Sequence, residues 1–372
     1  MSICVEYKDV SYAYPLTKKA AVRHLSCKLE SGKCYGIIGP NAGGKTTFCN
    51  LMRGLCPNFY GGTLRGTVIV DGKELKDWDE ADLSVRIGYV FQDPFAQVSG
   101  IKETVFEEIG MGLENLGVEQ EEMIQRILKI AKLVKVDHLL QKNPLALSGG
   151  QCQRVAFASV LVLDSDIVVI DEPTSQLDPI AASDFLNTVK KINRELRTTI
   201  IITEHRLEDI YYCSDKVVVI EEGKMIAEDE PRKVGDYLQK CGNEMFAAMP
   251  TPVQIFYGAG GNGRCPLTVR EGAEWLDQVF ADHTPHITAV DDAPESELDP
   301  DNIKNPAVLV KEAWFRYEKD SPDVLKGVTL QVPQNVLYAI VGGNGTGKST
   351  TLKVISNICK PYRGKILING KE

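Results

Sequence analysis

The sequence predicts an α/β fold, a mixed β core sheet with flanking helices, and three observations indicate it. Short β-branched apolar runs bounded by polar residues, at 166–171 and 199–203, are typical of buried parallel strands. Segments with apolar residues at helical spacing lie between such runs. A glycine-rich loop that joins a strand to a helix occurs twice. We therefore expect one complete α/β unit followed by a partial second copy.

Composition excludes several classes of protein. Of the 372 residues, 43% are hydrophobic and 25% are charged, which is typical of about two soluble domains. A net charge of −9 argues against a protein that binds nucleic acid over a broad basic surface. No apolar run approaches the ~18 residues of a membrane span, and the first residues do not resemble a signal peptide. Ten cysteines without a Cys-x-x-Cys pair favour reduced thiols of a cytosolic protein.

An internal repeat defines the expected domains. The segment 39–47 aligns with 342–350, the same spacing pairs Tyr14 with Tyr317, and a later match follows between 66–74 and 364–372. The domains predicted from this repeat are a complete unit over 1–240, a C-terminal extension with an acidic linker over 241–305, and the N-terminal part of a second unit over 306–372. We expect either that the chain is a truncated form of a longer tandem protein or that first units pair between chains.

The elements of the first unit follow in chain order. Alternating apolar residues in the opening segments predict an antiparallel β subdomain. Residues 34–38 form a buried strand that leads into the glycine loop and a helix from Lys45. Residues 101–160 predict an inserted helical subdomain, in which 119–134 is an amphipathic helix with an acidic start. The strands at 166–171 and 199–203 complete the predicted core sheet.

The extension after the first unit has a weaker pattern. Thr268 and Glu271 predict a capping box at the start of one short helix. Residues 291–301 contain six acidic residues, two prolines and no basic residue, so we expect a flexible linker there.

The glycine loop has the spacing of a phosphate-binding loop, in which backbone N–H groups surround phosphate oxygens at a helix N-terminus. Lys45 would reach the β- and γ-phosphates, and the Thr46 hydroxyl would bind Mg²⁺. Ser349 occupies the place of Thr46 in the second copy. The predicted nucleotide-binding residues of the two loops are Gly39, Pro40, Asn41, Ala42, Gly43, Gly44, Lys45, Thr46 and Thr47, and Gly342, Asn344, Gly345, Gly347, Lys348, Ser349 and Thr350.

Two carboxylates follow a predicted buried strand at its carboxyl end, where ligand crevices form in α/β proteins. Asp171 is placed to hold Mg²⁺ through water, and Glu172 to polarise an attacking water as a general base. Two acids at a strand end alone would indicate only a solvated turn; the phosphate loop favours the functional interpretation.

The segment Ser148-Gly149-Gly150-Gln151 precedes a predicted helix. Taken alone, Ser148 and the two glycines indicate an N-cap followed by a tight turn. Between Lys45 and Asp171, the segment resembles the signature motif of ATP-binding cassette (ABC) ATPases. That family uses the motif to bind the γ-phosphate held by the opposite cassette.

Four further residues resemble landmarks of the same family. Gln92 resembles the Q-loop glutamine, which contacts Mg²⁺ and the attacking water, and His205 resembles the switch histidine, which contacts the γ-phosphate. Asp178 resembles the D-loop aspartate at the cassette interface, and Tyr14, with Tyr317 in the second copy, resembles the aromatic residue that stacks on adenine. The simpler alternatives are a surface glutamine, a strand-end histidine paired with Glu204, a helix cap, and a core tyrosine.

Within the family, three stretches resemble the energising ATPases of energy-coupling factor (ECF) importers: 105–117, 171–179, and 266–272 together with Tyr257. The resemblance implies ATP hydrolysis with Mg²⁺, pairing with a second cassette in a homo- or heterodimer, and a position on the cytoplasmic face of the membrane. It also implies a transmembrane scaffold subunit and a substrate-binding membrane subunit, for uptake of a vitamin or a transition-metal ion.

Other classes fit the sequence less well. Soluble tandem-cassette proteins that act on ribosomes or DNA need basic linkers, whereas this linker is acidic. A regulatory nucleotide sensor would not need both Glu172 and His205. Two departures from the family pattern are Ala42-Gly43, expected to be a mild exchange of small residues, and Cys152, expected to have no redox role.

Overall fold

The computed structural model describes residues 2–281, 303 and 305–371, apart from the side chain of Asp209. The described residues form two compact units, one within 2–281 and one from 303 onward. The expected acidic linker at 291–301 lies outside the described residues. Within the described residues, no helix has the length and apolar character needed to cross a membrane.

The first unit contains two sheets and helices on both sides of the larger one. Its strands are β1 (Ile3–Ala13), β2 (Val22–Glu30), β3 (Cys34–Ile38), β4 (Thr63–Val70), β5 (Lys73–Glu74), β6 (Ile87–Val90), β7 (Ile167–Asp171), β8 (Thr199–Thr203), β9 (Lys216–Glu221) and β10 (Lys224–Asp229). Its α-helices are α1 (Lys45–Met52), α2 (Leu55–Asn58), α3 (Glu80–Arg86), α4 (Pro94–Gln97), α5 (Val105–Asn115), α6 (Gln120–Leu133), α7 (Gly149–Leu161), α8 (Pro179–Leu196), α9 (Leu207–Ile210), α10 (Pro231–Lys240), α11 (Thr251–Gly258) and α12 (Val269–Val279).

The smaller sheet confirms the predicted antiparallel β subdomain. Its strand order is β2-β1-β4-β5, and β1 pairs antiparallel with both β2 and β4. Alternate residues of β1, such as Val5 and Tyr7, are buried. This one-sided burial is the physical basis of the alternating sequence pattern.

The larger sheet has the order β10-β9-β3-β8-β7-β6, with β10 antiparallel to a parallel core. All residues of β3, β7 and β8 are buried, as their continuous apolar runs predict. Because parallel strands end at one edge of a sheet, the segments that follow β3, β6, β7 and β8 meet there. The expected mixed α/β core is therefore confirmed.

The inserted helical subdomain contains α5, α6 and α7. Thr104 and Glu107 form a capping box at the start of α5. Helix α6 begins after Glu119 and buries Ile127, Ile130 and Ala131 on one face, which agrees with the amphipathic helix expected from the sequence.

The described part of the C-terminal extension, 241–281, contains more helix than the sequence indicates. Two helices, α11 and α12, pack together in place of one, with the rings of Phe256 and Trp275 5.0 Å apart. The predicted capping box is half formed, because Thr268 Oγ1 accepts from Glu271 N at 3.2 Å whereas the Glu271 carboxylate accepts from Leu267 N at 2.7 Å. Arg232 also donates to that carboxylate at 2.7 Å and draws it away from the helix end.

The second unit repeats the start of the first. Its elements are β11 (Val308–Phe315), β12 (Leu325–Val332), α13 (Lys348–Ile355) and β13 (Arg363–Ile368), and its strand order is β12-β11-β13. The repeat also holds for the backbone, because Asp9 and Glu312 have φ of +48° and +45°, and Gly39 and Gly342 have +151° and +154°.

The copies differ where the core sheet begins. Residues 337–341, which correspond to β3, form no strand, and Leu337 is fully exposed. In the first unit β3 lies between β8 and β9. Within 305–371 no strand flanks residues 337–341, so their strand-like sequence has no hydrogen-bonding partner.

Candidate nucleotide-binding site

The phosphate loop joins β3 to α1 and turns through two glycines with positive φ. Gly39 has φ +151°, and a β-carbon there would lie 1.9 Å from the Ile220 carbonyl oxygen, so no other residue fits. Lys45 is buried, and its Nζ donates to the carbonyl oxygens of Gly39 and Pro40 at 3.0 and 3.1 Å. The loop thus presents the N-terminus of α1 and one ammonium group to the same space, which favours an anion.

The order of Ala42 and Gly43 places a side chain at a left-handed position of the loop. Ala42 adopts φ +56°, a left-handed conformation, and the corresponding Gly345 has φ +78°. A β-carbon at Gly43 would lie 2.9 Å from both the Ile220 and the Pro40 carbonyl oxygens. This loop conformation therefore favours glycine at residue 43, and Ala42 carries its β-carbon at a left-handed position.

Asp171 ends β7 and is buried among hydroxyl groups. Its Oδ1 accepts from Thr203 Oγ1 at 2.5 Å and from Thr46 Oγ1 at 3.3 Å, and its Oδ2 accepts from Tyr89 Oη at 3.3 Å. Burial raises the pKa of this carboxyl group, and the three hydroxyl contacts partly oppose that rise.

Thr46 and Asp171 could together hold Mg²⁺. Their contact puts a hydroxyl and a carboxylate oxygen side by side, and these are the hard donors that Mg²⁺ prefers. Among residues 2–281 and 305–371, no cluster of three or more His, Cys, Asp or Glu side chains could hold a metal by itself.

Glu172 is held between two side chains that the sequence predicted for the same site. Gln92 Nε2, after β6, donates to Glu172 Oε2 at 2.7 Å, and His205 Nε2, after β8, lies 2.6 Å from Glu172 Oε1. Burial lowers the pKa of Lys45, and the charges of Glu172 and Asp171 oppose that effect. The strand order thus brings four predicted residues to one end of the sheet: Lys45, Gln92, Glu172 and His205.

These side chains line a pocket of about 750 Å³, within the usual range for small-molecule sites. Tyr14 stands at its rim, with its hydroxyl 3.2 Å from Thr47 Oγ1 and its ring edge-on to Tyr12. The residues that line the pocket are Tyr14, Ala21, Asn41, Ala42, Gly43, Gly44, Lys45, Thr46, Thr47, Gln92, Glu172 and His205.

Ser148 and Asp178 do not line this pocket. Ser148 and Gln151 form a capping box at the start of α7, and Asp178 Oδ1 accepts from Ile180 N and Ala181 N at the start of α8. The helix-cap alternative is therefore correct for both residues, and their contact with nucleotide across a cassette interface stays a prediction.

Three site residues were missed by sequence reasoning: Tyr89, Thr203 and Glu204. Tyr89 and Thr203 hold Asp171, and the Glu204 carboxylate accepts from Thr174 N at 3.0 Å. Tyr89 and Thr203 lie near the carboxyl ends of β6 and β8, and Glu204 directly precedes His205. The strand-end position could have identified Tyr89 and Thr203, whereas no local signal indicates that Glu204 joins two loops.

The second unit has the same loop in different surroundings. Lys348 Nζ donates to the carbonyl oxygens of Gly342 and Gly343 at 2.8 and 2.6 Å, and Tyr317 Oη lies 3.2 Å from Thr350 Oγ1. Both contacts repeat those of Lys45 and Tyr14. No segment within 306–372 corresponds to those that carry Gln92, Glu172 and His205.

The parallel sheet, the phosphate loop and the acidic pair at the end of β7 define a P-loop nucleotide-binding protein. A sequence model of the ABC transporter family matches residues 22–175 and 325–372. The chain belongs to this family.

Individual relatives agree with this assignment. An ABC transporter ATP-binding protein of Pyrococcus horikoshii is 39% identical and aligns with 74% of this chain and 97% of its own length. CbiO1 of Clostridium perfringens, part of the ABC transporter complex CbiONQ, has 26% identity and a TM-score of 0.58 over 69% of this chain and its entire length.

A second solved structure is the ATP-binding cassette MJ0796, a dimer in a post-hydrolysis state with ADP and Pi. It has 26% identity and a TM-score of 0.54 over 61% of this chain and 99% of its own length. This chain spans only 61–64% of the length of two Methanosarcina relatives that match nearly all of it.

Proposed function

We propose that this chain is the energising ATPase of an ECF-type importer, and that its first cassette hydrolyses ATP. The observation that carries the proposal is the arrangement of Glu172 opposite the phosphate loop, with one carboxylate oxygen on Gln92 and the other on His205. A carboxylate oriented in this way can accept a proton from a water molecule aimed at a phosphorus atom.

The other residues bind and neutralise charge. Lys45 and the backbone N–H groups of the loop bind the phosphates, and Tyr14 supplies a ring for the base. Thr46 and Asp171 would hold Mg²⁺, which when bound neutralises charge on the β- and γ-phosphates. Gln92 and His205 keep the Glu172 carboxylate facing the phosphate loop.

Dimer formation completes the proposed mechanism. Ser148 caps α7 and does not line the pocket, so we assign its segment to a nucleotide that is held by another cassette. The dimeric MJ0796 cassette supports this arrangement. ATP would then close two cassettes on each other, and hydrolysis would let them separate.

A membrane partner would dock beside the Q-loop segment. Phe95 in α4 is 50% exposed, and Ile101 and Leu145 in the helical subdomain are 81% and 71% exposed. A β-carbon on Gly100, the residue before Ile101, would lie 3.3 Å from Leu145 Cδ2. Ile101 and Leu145 therefore belong to one surface. Exposed apolar side chains grouped on one surface favour a protein partner.

We assign that surface to a transmembrane scaffold subunit, which itself joins a substrate-binding membrane subunit. The cassette would then lie on the cytoplasmic face of the membrane. The similarity to CbiO1, part of a transporter complex, and the three ECF-like stretches support import of a vitamin or a transition-metal ion.

The test is Glu172→Gln in the full chain. We expect ATP binding to persist, hydrolysis to fall by about 10²-fold or more, and ATP to shift the protein to a dimer in gel filtration. Glu195→Gln, an exposed acid on α8 that pairs with Lys191, is the matched control and should keep normal turnover. Undiminished hydrolysis would remove Glu172 from the proposed role, and an unchanged monomer with ATP would overturn the pairing of first cassettes.

A further inference from the structure

Glu204 is a buried carboxylate that the proposed hydrolysis does not use. It follows β8, is 3% exposed, and lies between the loop after β7 and the loop after β8. Its Oε1 accepts from Thr174 N at 3.0 Å, and its Oε2 accepts from His205 N at 3.2 Å. One side chain therefore holds the backbone of both loops.

The position is energetically costly for an acid. Burial raises the pKa of Glu204, and the charge of Glu172 adds to that rise. No lysine or arginine among residues 2–281 forms an ion pair with the Glu204 carboxylate. The backbone N–H groups of Thr174 and His205 donate hydrogen bonds to it instead. An apolar side chain would avoid the cost of a buried charge but would leave the amides of Thr174 and His205 without this acceptor.

Glu204 extends the connection between the two loops. Nearer the sheet, Glu172 N donates to Thr203 O and to Thr203 Oγ1 at 3.2 and 2.9 Å, and the Glu172 carboxylate contacts His205. Glu204 reaches further, to Thr174, beyond the residues that face the nucleotide pocket.

Thr174 leads to the start of α7. Its carbonyl oxygen accepts from Leu177 N at 3.0 Å, and a β-carbon on Gly150 would lie 3.3 Å from Leu177 Cδ2. A contiguous series of contacts therefore runs from His205 through Glu204 and Thr174 to the segment that begins with Ser148.

We propose that Glu204 is a positioning residue that couples the His205 loop to the 174–178 loop, and through Leu177 to the N-terminus of α7. This inference rests on the proposed function, because it takes ATP bound beside Glu172 to move His205, which contacts that carboxylate. When His205 moves, its backbone N–H carries the Glu204 carboxylate with it, and the bond to Thr174 N transmits the displacement. The coupling would align the signature segment only when the pocket is filled.

Backbone hydrogen exchange tests the contact without hydrolysis. In the nucleotide-free full chain, we expect Glu204→Leu to speed exchange of the amides in 172–178 and 203–206. Glu204→Gln, which keeps one acceptor oxygen, should give an intermediate increase. Glu208→Gln, which alters an exposed carboxylate four residues away that accepts from Thr251 N, is the matched control and should leave both segments unchanged.

Addition of ATP and Mg²⁺ tests the coupling. In the unsubstituted chain we expect slower exchange in 39–47 and in 172–178, whereas in Glu204→Leu only 39–47 should slow. Steady-state rates should show kcat lower by about tenfold in Glu204→Leu, with partial recovery in Glu204→Gln and KM for ATP within about twofold in both.

The outcomes separate this inference from the function on which it rests. If 39–47 fails to slow with ATP in the unsubstituted chain, the proposed ATP site is wrong, while the nucleotide-free exchange still reports on Glu204. If 172–178 slows equally with ATP in Glu204→Leu, or if nucleotide-free exchange is the same in all variants, the coupling role is overturned. Loss of ATP affinity with unchanged kcat would also contradict it.

Discussion

Among single residues of the nucleotide site, Asp171 is a buried carboxylate whose charge lowers the stability of the fold but can bind a cation. Asp171 is buried with no lysine or arginine paired to it among residues 2–281, and hydroxyl groups alone contact its oxygens. Such a group favours a bound cation, because the cation supplies the charge that the protein withholds. Without nucleotide or metal, burial of the Asp171 charge lowers the free energy of unfolding at neutral pH.

This penalty predicts how Asp171→Asn changes stability with pH. The folded-state pKa of Asp171 lies above its unfolded value, so the folded chain binds this proton more tightly and its stability increases as pH falls through the raised pKa. Without nucleotide or metal, we expect Asp171→Asn to raise Tm at about pH 8 by about 2 °C. That advantage should shrink as the pH is lowered through the raised pKa.

Asp184→Asn is the matched control, with the opposite sign. Hydrogen bonding to Lys135 and the charge of Arg154 lower the pKa of Asp184. Its contribution to stability is therefore present at neutral pH and lost as pH falls through the lowered pKa, so this variant should lower Tm near pH 8. Thermal unfolding across the pH range checks both signs, and an Asp171→Asn advantage that grows in acid would refute the argument.

At the scale of elements, two helices begin with the same capping box but differ in their surroundings. Ser148 with Gln151 caps α7, and Thr104 with Glu107 caps α5. Removing either hydroxyl group should lower the free energy of unfolding by about 1 kcal/mol. A cap that serves only to start a helix should have no further effect.

The pair Ser148→Ala and Thr104→Ala therefore separates the cap from the signature role. We expect similar losses of stability by denaturant unfolding, but a fall in ATP turnover of about tenfold or more only in Ser148→Ala. Equal turnover in the two variants, each compared at a temperature well below its Tm, would leave Ser148 with the helix-cap role alone.

The sequence predicted the elements whose pattern is local. The bounds of β8 coincide with its β-branched run at Thr199–Thr203, and α6 follows its apolar spacing. Helix α11 was missed because its burial depends on contact between Phe256 and the distant Trp275. Residues 337–341 show the reverse case, in which a strand-like pattern forms no strand because none lies beside it in 305–371.

The residues of the candidate site also differ in whether a local sequence pattern identifies them. Lys45, Glu172 and His205 could be selected because each stands at a recognisable distance from a strand or a glycine turn. Glu204 could not, because its function depends on the meeting of two loops that are 30 residues apart in sequence. The left-handed Ala42 was also hidden, since the nearby carbonyl oxygen that excludes a β-carbon at Gly43 belongs to β9.

At the scale of the whole molecule, two similar phosphate loops differ in what surrounds them. Lys45 shares its pocket with Glu172, Gln92 and His205. Lys348 makes the same contacts with its own loop, but residues 306–372 contain no segment that corresponds to the other three. Binding of phosphates needs only the loop, whereas hydrolysis also needs an oriented water molecule. Within residues 2–281 and 305–371, turnover should therefore depend on the first loop.

This asymmetry predicts different effects for the same substitution in the two loops. Lys45→Ala should lower ATP hydrolysis by about 10²-fold or more, because a buried ammonium group that stabilises phosphate charge is lost. Lys348→Ala should leave kcat within about twofold and lower only the amount of nucleotide bound per chain. Phosphate release and equilibrium dialysis with a non-hydrolysed ATP analogue measure the two effects separately. Loss of turnover in Lys348→Ala would show that the second loop takes part in hydrolysis, through a composite site that the first cassette does not build alone.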